Sequence, residues 1–163
     1  MLDLVTRRSP PGKSSSHGAT YRDNAAVPAF PDDKPIIIFD GHCVLCSRFA
    51  RFILRRDSAG HYRLLPAQTP LGDALYRHYD LDPENYQTNI LLENGIAWFR
   101  SESSIRIIAG LGFPWSMIRV FRILPLSLRD WLYEWVARNR FNFFGRQDAC
   151  MLGAPGHEDR FLS

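Results

Sequence analysis

An α/β sandwich of order β-α-β-α-β-β-α is the fold class this sequence predicts, on three observations. Ile36-Ile37-Ile38-Phe39 is a wholly apolar run of β-branched and aromatic residues, the composition of a strand covered on both faces. Directly after it the period becomes helical, with Leu45, Phe49, Phe52 and Ile53 on one side and Ser47, Arg48, Arg51 and Arg55 on the other. Further along, Glu93-Asn94-Gly95 separates two apolar runs, and Asn-Gly supplies the positive φ angles of a tight hairpin. Strand–helix–strand units followed by a hairpin and a helix form one sheet layered with helices.

Taken in order, residues 1–33 are rich in Ser, Pro, Gly and charge without periodicity, which predicts a disordered extension. Pro35 opens the first strand and Asp40-Gly41 breaks it; the first helix ends in the turn residues Asp57-Ser58-Ala59-Gly60. Residues 62–65 read as the second strand, closed by Pro66, and residues 72–79 as a short helix. Residues 88–92 and 96–99 make the hairpin, and residues 103–111 a helix with Ile105, Ile108 and Ala109 on a common face. After Pro114, Met117, Val120, Phe121 and Leu124 form one helical stripe; after Pro125, Leu128, Leu132, Trp135 and Val136 form a second. Arg119, Arg122, Arg129, Asp130 and Glu134 are interspersed, so an added C-terminal amphipathic helical pair packed on the core is expected rather than a membrane-surface element. The folded unit is thus expected over residues 34–152, with 153–163 a tail.

Composition bounds the function. A chain of 163 residues that is 45% hydrophobic has enough apolar material for one core without disulfide staples, and three cysteines, an odd number, argue against a secreted disulfide framework. The formal net charge is +3, too mild to imply a nucleic-acid surface, and the basic residues, nearly all Arg, are dispersed along helices as a solvated face, so no nucleic-acid partner is expected. No apolar run approaches the roughly 18–20 residues of a membrane span, so no integral membrane segment is expected. Residues 1–20 lack the apolar stretch of a secretory signal, and Ser9-Pro10-Pro11-Gly12 follows Arg7-Arg8 where a twin-arginine signal turns hydrophobic. The expected compartment is the reducing cytoplasm.

Cys43 and Cys46 stand where the first strand gives way to the first helix. Unpaired N–H groups and the peptide dipoles at a helix start stabilise a thiolate, and i, i+3 spacing brings two sulfurs to one side of the turn. Cys43, at the exposed helix start, is the expected attacking thiol, and Cys46, one turn in and more enclosed, the resolving one. A C-x-x-C is also half of a zinc site or plain apolar packing. The β-α-β surroundings and the absence of a second C-x-x-C favour redox chemistry; haem attachment is excluded because Ser47 stands where His is required. The alternative is a non-catalytic zinc-binding or interaction module using Cys43, Cys46 and Cys150, with His42 completing the set. Asp40 either caps the turn, the favoured reading, or handles a thiol proton. His42 is either a cation favouring the thiolate or an exposed loop histidine. Cys150 is a buried inert thiol, a third redox partner or a metal ligand, and Arg146 pairs with Asp148 or orients the tail against the site.

DGHCVLC resembles the D-G-x-C-x-x-C signature of the DCC-type thiol-disulfide oxidoreductase family. RNRFNFFGRQDAC, with Phe144-Gly145-Arg146 and Cys150, is similar to that family's C-terminal stretch, and LLENGIAWFRSESSIRIIAGLG to its hairpin and following helix. The likeness covers roughly residues 35–152. It implies a thioredoxin-like fold and exchange of thiols with disulfides without an organic cofactor. The implied partners are a disulfide-containing protein or small thiol and an external electron donor. Thioredoxins proper carry a cis-proline just before the third strand; here that stretch is Tyr86-Gln87-Thr88, and Pro83 lies earlier.

Overall fold

The structure, a computed structural model, describes residues 17, 18 and 20–162. The elements run β1 (His17–Gly18), β2 (Ile36–Phe39), α1 (Val44–Arg56), β3 (Arg63–Pro66), α2 (Pro70–His78), β4 (Ile90–Glu93), β5 (Ile96–Phe99), α3 (Arg100–Ala109) and α4 (Leu126–Phe143). A 3-10 helix, Trp115–Ile123, precedes α4, and a short one, Glu158–Arg160, follows it. The strands form one sheet in the order β1-β5-β4-β2-β3, with β2 and β3 parallel and the other neighbours antiparallel. From β2 to α3 the order is the expected β-α-β-α-β-β-α, and this mixed α/β arrangement is consistent with a thioredoxin-like fold.

Strand β2 sits in the middle because both its faces are apolar. Ile36 and Ile38 pack with Leu65, Leu75, Tyr76 and Ile90 on the α2 side. Ile37 and Phe39 pack with Ile53, Leu64, Leu91 and Ile107 on the side of α1 and α3. Burying each such side chain contributes about 1.5–3 kcal/mol. The hairpin turns on Asn94 (φ 53°) and Gly95 (φ 78°), as Asn-Gly predicts. In α3 the expected common face is only partly realised: Ile105 and Ala109 are buried with Ile107, whereas Ile108 lines a cavity.

Three expectations are corrected. Residues 1–16 of the supposed disordered extension lie outside the described residues, but residues 20–33 are not loose. Tyr21 is buried and stacks on Phe30 at 5.2 Å, Val27 packs on the core, and β1 pairs with β5. A few well-spaced apolar residues in a polar segment suffice once a sheet edge is there to receive them.

The second correction concerns residues 153–163, which are anchored rather than a free tail. The Arg160 guanidinium pairs with the Asp57 carboxylate, and the Leu162 N–H donates to the Leu64 carbonyl at 2.8 Å.

The third concerns the added helices. The first is a 3-10 helix with no buried residue, and α4 turns its expected packing stripe outward, leaving Leu128, Leu132, Trp135 and Val136 exposed. Asp130, Tyr133, Ala137 and Arg140 face inward instead. Ser101 donates to Asp130 at 2.5 Å, Tyr133 donates to Asn89 Oδ1 at 2.6 Å, and Arg140 reaches Asp40. Both sides of the helix carry apolar residues, and the side whose polar groups find buried partners is the one turned in.

Candidate active site around Cys43 and Cys46

The site forms where β2 hands over to α1. Cys43 is the residue that caps α1, its backbone extended (φ −82°, ψ 121°), and its sulfur accepts the Cys46 backbone N–H at 3.3 Å. That N–H is one of the helix-start donors without an intrahelical acceptor. The Cys46 side chain lies beside the Cys43 sulfur and acts on its titration. That side chain, with the Cys46 N–H and the positive charge of Arg140, outweighs burial and the Asp40 charge, lowering the Cys43 thiol to about 7. Cys46 is pushed the other way, above the ordinary thiol range, by the Cys43 side chain beside it, by burial and by the Cys43 charge. The two thiols thus divide into one that ionises near neutrality and one that keeps its proton.

Exposure runs opposite to expectation. Cys43 is 0% exposed, whereas Cys46 is partly exposed and lines an apolar cavity of about 260 Å³ with Phe39, Leu45, Phe49, Ile108 and Tyr133. The cause is the chain beyond α4, which folds back over the loop that carries the cysteines. Arg146 pairs with Cys43 in an antiparallel bridge, Gln147 N–H donates to the His42 carbonyl at 2.9 Å, and Met151 N–H donates to the Gly41 carbonyl at 3.0 Å. The Gln147 side-chain amide adds bonds to the Gly41 carbonyl at 2.6 Å and to Ser47 Oγ at 3.0 Å. Gly41 permits this approach, because a Cβ there would collide with Cys150 Sγ and sit 3.3 Å from the Met151 nitrogen.

Beneath the loop lies Asp40, buried, whose Oδ1 accepts the His42 N–H at 2.9 Å and the Gln68 amide at 2.6 Å. The first bond closes the turn before α1, whose own side-chain cap is Cys43. The second carboxylate oxygen pairs with Arg140 at 2.9 Å, and Arg140 also donates to the carbonyls of Asn85 and Tyr86. Arg140 and Gln68 were not legible as site residues, since nothing local marks an Arg in an amphipathic helix or a Gln in a loop as reaching a buried carboxylate.

Of the other candidates, the His42 ring sits 3.2 Å from the Gln147 carbonyl, facing the overlying segment. Arg146 meets Cys43 through a backbone bridge, and its guanidinium lies 4.4 Å over the Phe141 ring. Cys150 approaches Gln68 Oε1 at 3.6 Å, and its thiol is raised by burial and by the Asp40 charge, which keeps it protonated. Among the described residues no three His, Cys, Asp or Glu side chains are grouped to hold a metal ion, so Cys43, Cys46, Cys150 and His42 do not assemble into the zinc set. No helix among those residues is long and apolar enough to cross a membrane.

The profile of the DCC1-like thiol-disulfide oxidoreductase family matches residues 37–146. The chain is 31% identical over 127 residues to the uncharacterized protein YuxK of Bacillus subtilis, covering 78% of this chain and 93% of YuxK. It is 34% identical over 122 residues to a chloroplastic DCC family protein of Arabidopsis thaliana, covering 74% of this chain and 71% of that protein. No solved structure matches the chain.

Proposed function

The chain belongs to the DCC1-like thiol-disulfide oxidoreductase family, and on that premise we propose that Cys43 and Cys46 form its redox couple, reducing substrate disulfides by thiol exchange. The observation that carries this is the Cys43 sulfur at the start of α1, accepting the Cys46 N–H at 3.3 Å, with its thiol lowered to about 7 and the Cys46 thiol raised. The Cys43 thiolate attacks one sulfur of the substrate disulfide, forming the Cys43–substrate bond and expelling the other substrate sulfur as a thiolate. Cys46 then gives up its proton to a departing thiolate and attacks Cys43. The Cys43–Cys46 disulfide forms, the second substrate sulfur leaves as a thiolate that takes its proton from water, and two electrons have passed to the substrate. An external dithiol restores the couple. Asp40, tied to Arg140, Gln68 and the His42 N–H, holds the loop rather than carrying the proton.

Access to Cys43 requires the segment 146–151 to lift. Cys46, the more exposed thiol, favours a second reading in which it meets the substrate first. Its raised pKa opposes that order, because the thiolate is the nucleophile. The test is a pair of variants, Cys46→Ser and Cys43→Ser, incubated with a labelled model disulfide and digested to locate the adduct. A stable adduct on Cys43 in Cys46→Ser is the expected result. An adduct found solely on Cys46 in Cys43→Ser reverses the roles, and a wild-type protein that neither reduces the disulfide nor cycles loses the enzyme reading. A reducing compartment suits this chemistry, whether the cytoplasm expected from sequence or the organelle in which the plant relative is named.

A further inference from the structure

Helix α4 carries apolar residues on both sides and only one side is covered. Leu128, Trp131, Leu132, Trp135, Val136 and Phe143 recur at helical spacing on the outer side, all of them exposed, with Trp131 at 55%. Trp135 and Phe143 lie with ring centroids 5.7 Å apart, so the stripe is continuous along the helix. The 3-10 helix before it rests on α3, as α4 does, and its flanks are barer still: Phe113 is 84% and Ile123 82% exposed. A run of exposed large apolar residues along one helix marks an interaction site rather than ordinary scatter.

The charges around the stripe say what covers it. Arg138 on α4 and Arg119 on the 3-10 helix are exposed and in no ion pair among the described residues, Arg119 at the rim of a crevice it shares with Glu93 and Arg106. The acid on the outer flank, Glu134, is already paired with Arg100 at 3.3 Å, and Asp130 is buried. A second copy seated on this face would bring its own unpaired arginines against these. An anionic surface would neutralise them. Indole rings with a polar N–H and an apolar body, set beside arginines that extend their heads to water, suit the headgroup boundary of a bilayer.

We propose that the outer face of α4, with the exposed residues around the 3-10 helix, docks the protein peripherally on anionic lipid membranes, the helix lying in the interface plane. The mixed charge signs that favour core packing in the sequence are sorted by folding: Asp130 is buried, Glu134 is paired with Arg100, Arg122 and Arg129 are taken by Glu102, and Arg119 and Arg138 stay exposed. Nothing in this placement depends on the cysteine chemistry.

The test is flotation of the full chain with vesicles of phosphatidylglycerol and phosphatidylcholine, against vesicles of phosphatidylcholine alone, while following tryptophan emission. Co-flotation with the anionic vesicles, a blue-shifted emission and weakening by salt are the expected results. Trp131→Glu and Arg138→Glu should each reduce the partition coefficient about tenfold, with the circular dichroism spectrum and Cys43 alkylation rate unchanged as proof of folding. Absence of flotation, binding equal on neutral vesicles, or binding indifferent to both substitutions overturns the proposal. So does a dimer in sedimentation that Trp135→Glu dissolves while vesicles recruit nothing.

Discussion

The carboxylate of Asp40 and the guanidinium of Arg140 meet at 2.9 Å across 100 residues of chain, with 4% and 3% of their side chains exposed. They place two fixed charges of opposite sign next to the cysteine pair, out of the screening of water. Arg140 pulls the Cys43 thiol down and Asp40 pushes it up. The pair also ties the start of the active-site loop to the far end of α4, so it serves geometry and electrostatics together.

Separating the two charges should therefore move the thiol in opposite directions. Arg140→Met should raise the Cys43 pKa above 7, and Asp40→Asn, leaving the guanidinium uncompensated, should lower it. Each substitution strands the other charge in a buried site, which costs about 3–5 kcal/mol of stability. Thiolate absorbance in the ultraviolet against pH, with denaturant unfolding of the same samples, checks both. Shifts of the same sign in the two variants contradict the assignment.

The reactivity of the reduced protein should follow the ionisation of Cys43. Its alkylation rate is expected to reach half its plateau at a pH of about 7 and to fall about tenfold for each further pH unit below it. Cys46→Ala removes the thiol beside the Cys43 sulfur, so the profile should move to higher pH. An unchanged profile would show that the Cys46 thiol does not hold the thiolate.

Loosening the overlying segment should expose Cys43. Gln147→Ala removes bonds of 2.6 Å and 3.0 Å that tie the segment to Gly41 and Ser47. The open form should gain roughly tenfold in population and Cys43 should be alkylated faster in proportion. Gly41→Ala, which thrusts a methyl into Cys150 Sγ, should act the same way. Rates equal to wild type in both variants would mean that substrate reaches the pair by another route, such as the cavity beside Cys46.

Away from the site, Glu102 on α3 is a buried junction. Its carboxylate accepts from Arg106 at 3.0 Å, Arg122 at 2.6 Å and Arg129 at 3.2 Å, tying the 3-10 helix and α4 to α3. Burial pushes its pKa up, but the Arg122 and Arg129 guanidiniums, with Arg106 behind them, hold it below the usual carboxylate range. A depressed carboxylate pKa contributes stability that is present above the unfolded value and lost as pH falls through the folded one. Glu102→Gln should cost about 2 kcal/mol near neutrality, and the gap to wild type should close on acidification. Urea unfolding midpoints measured down the pH scale test this.

What could be read along the chain was whatever local physics decides. A run of β-branched residues is a strand wherever it lies, so β2 was legible to its residue bounds, and Asn94-Gly95 placed the hairpin. The place of Cys43 at the start of α1 was legible because the N–H that reaches its sulfur lies only three residues on. Other features were invisible because the deciding contacts lie far away in sequence. Nothing near Arg140 names Asp40 as its partner, and nothing near Cys43 foretells that Arg146 will pair with it.

Residues 36–111 on their own thus determined the layered sheet, the order of its helices and the sulfur pair at the strand–helix junction. Folding decided which cysteine is covered, which charge sits beneath it and which side of α4 meets water. A helix apolar on both sides has no inward face until its polar groups compete for buried partners, and α4 was turned by Asp130, Tyr133 and Arg140 finding Ser101, Asn89 and Asp40.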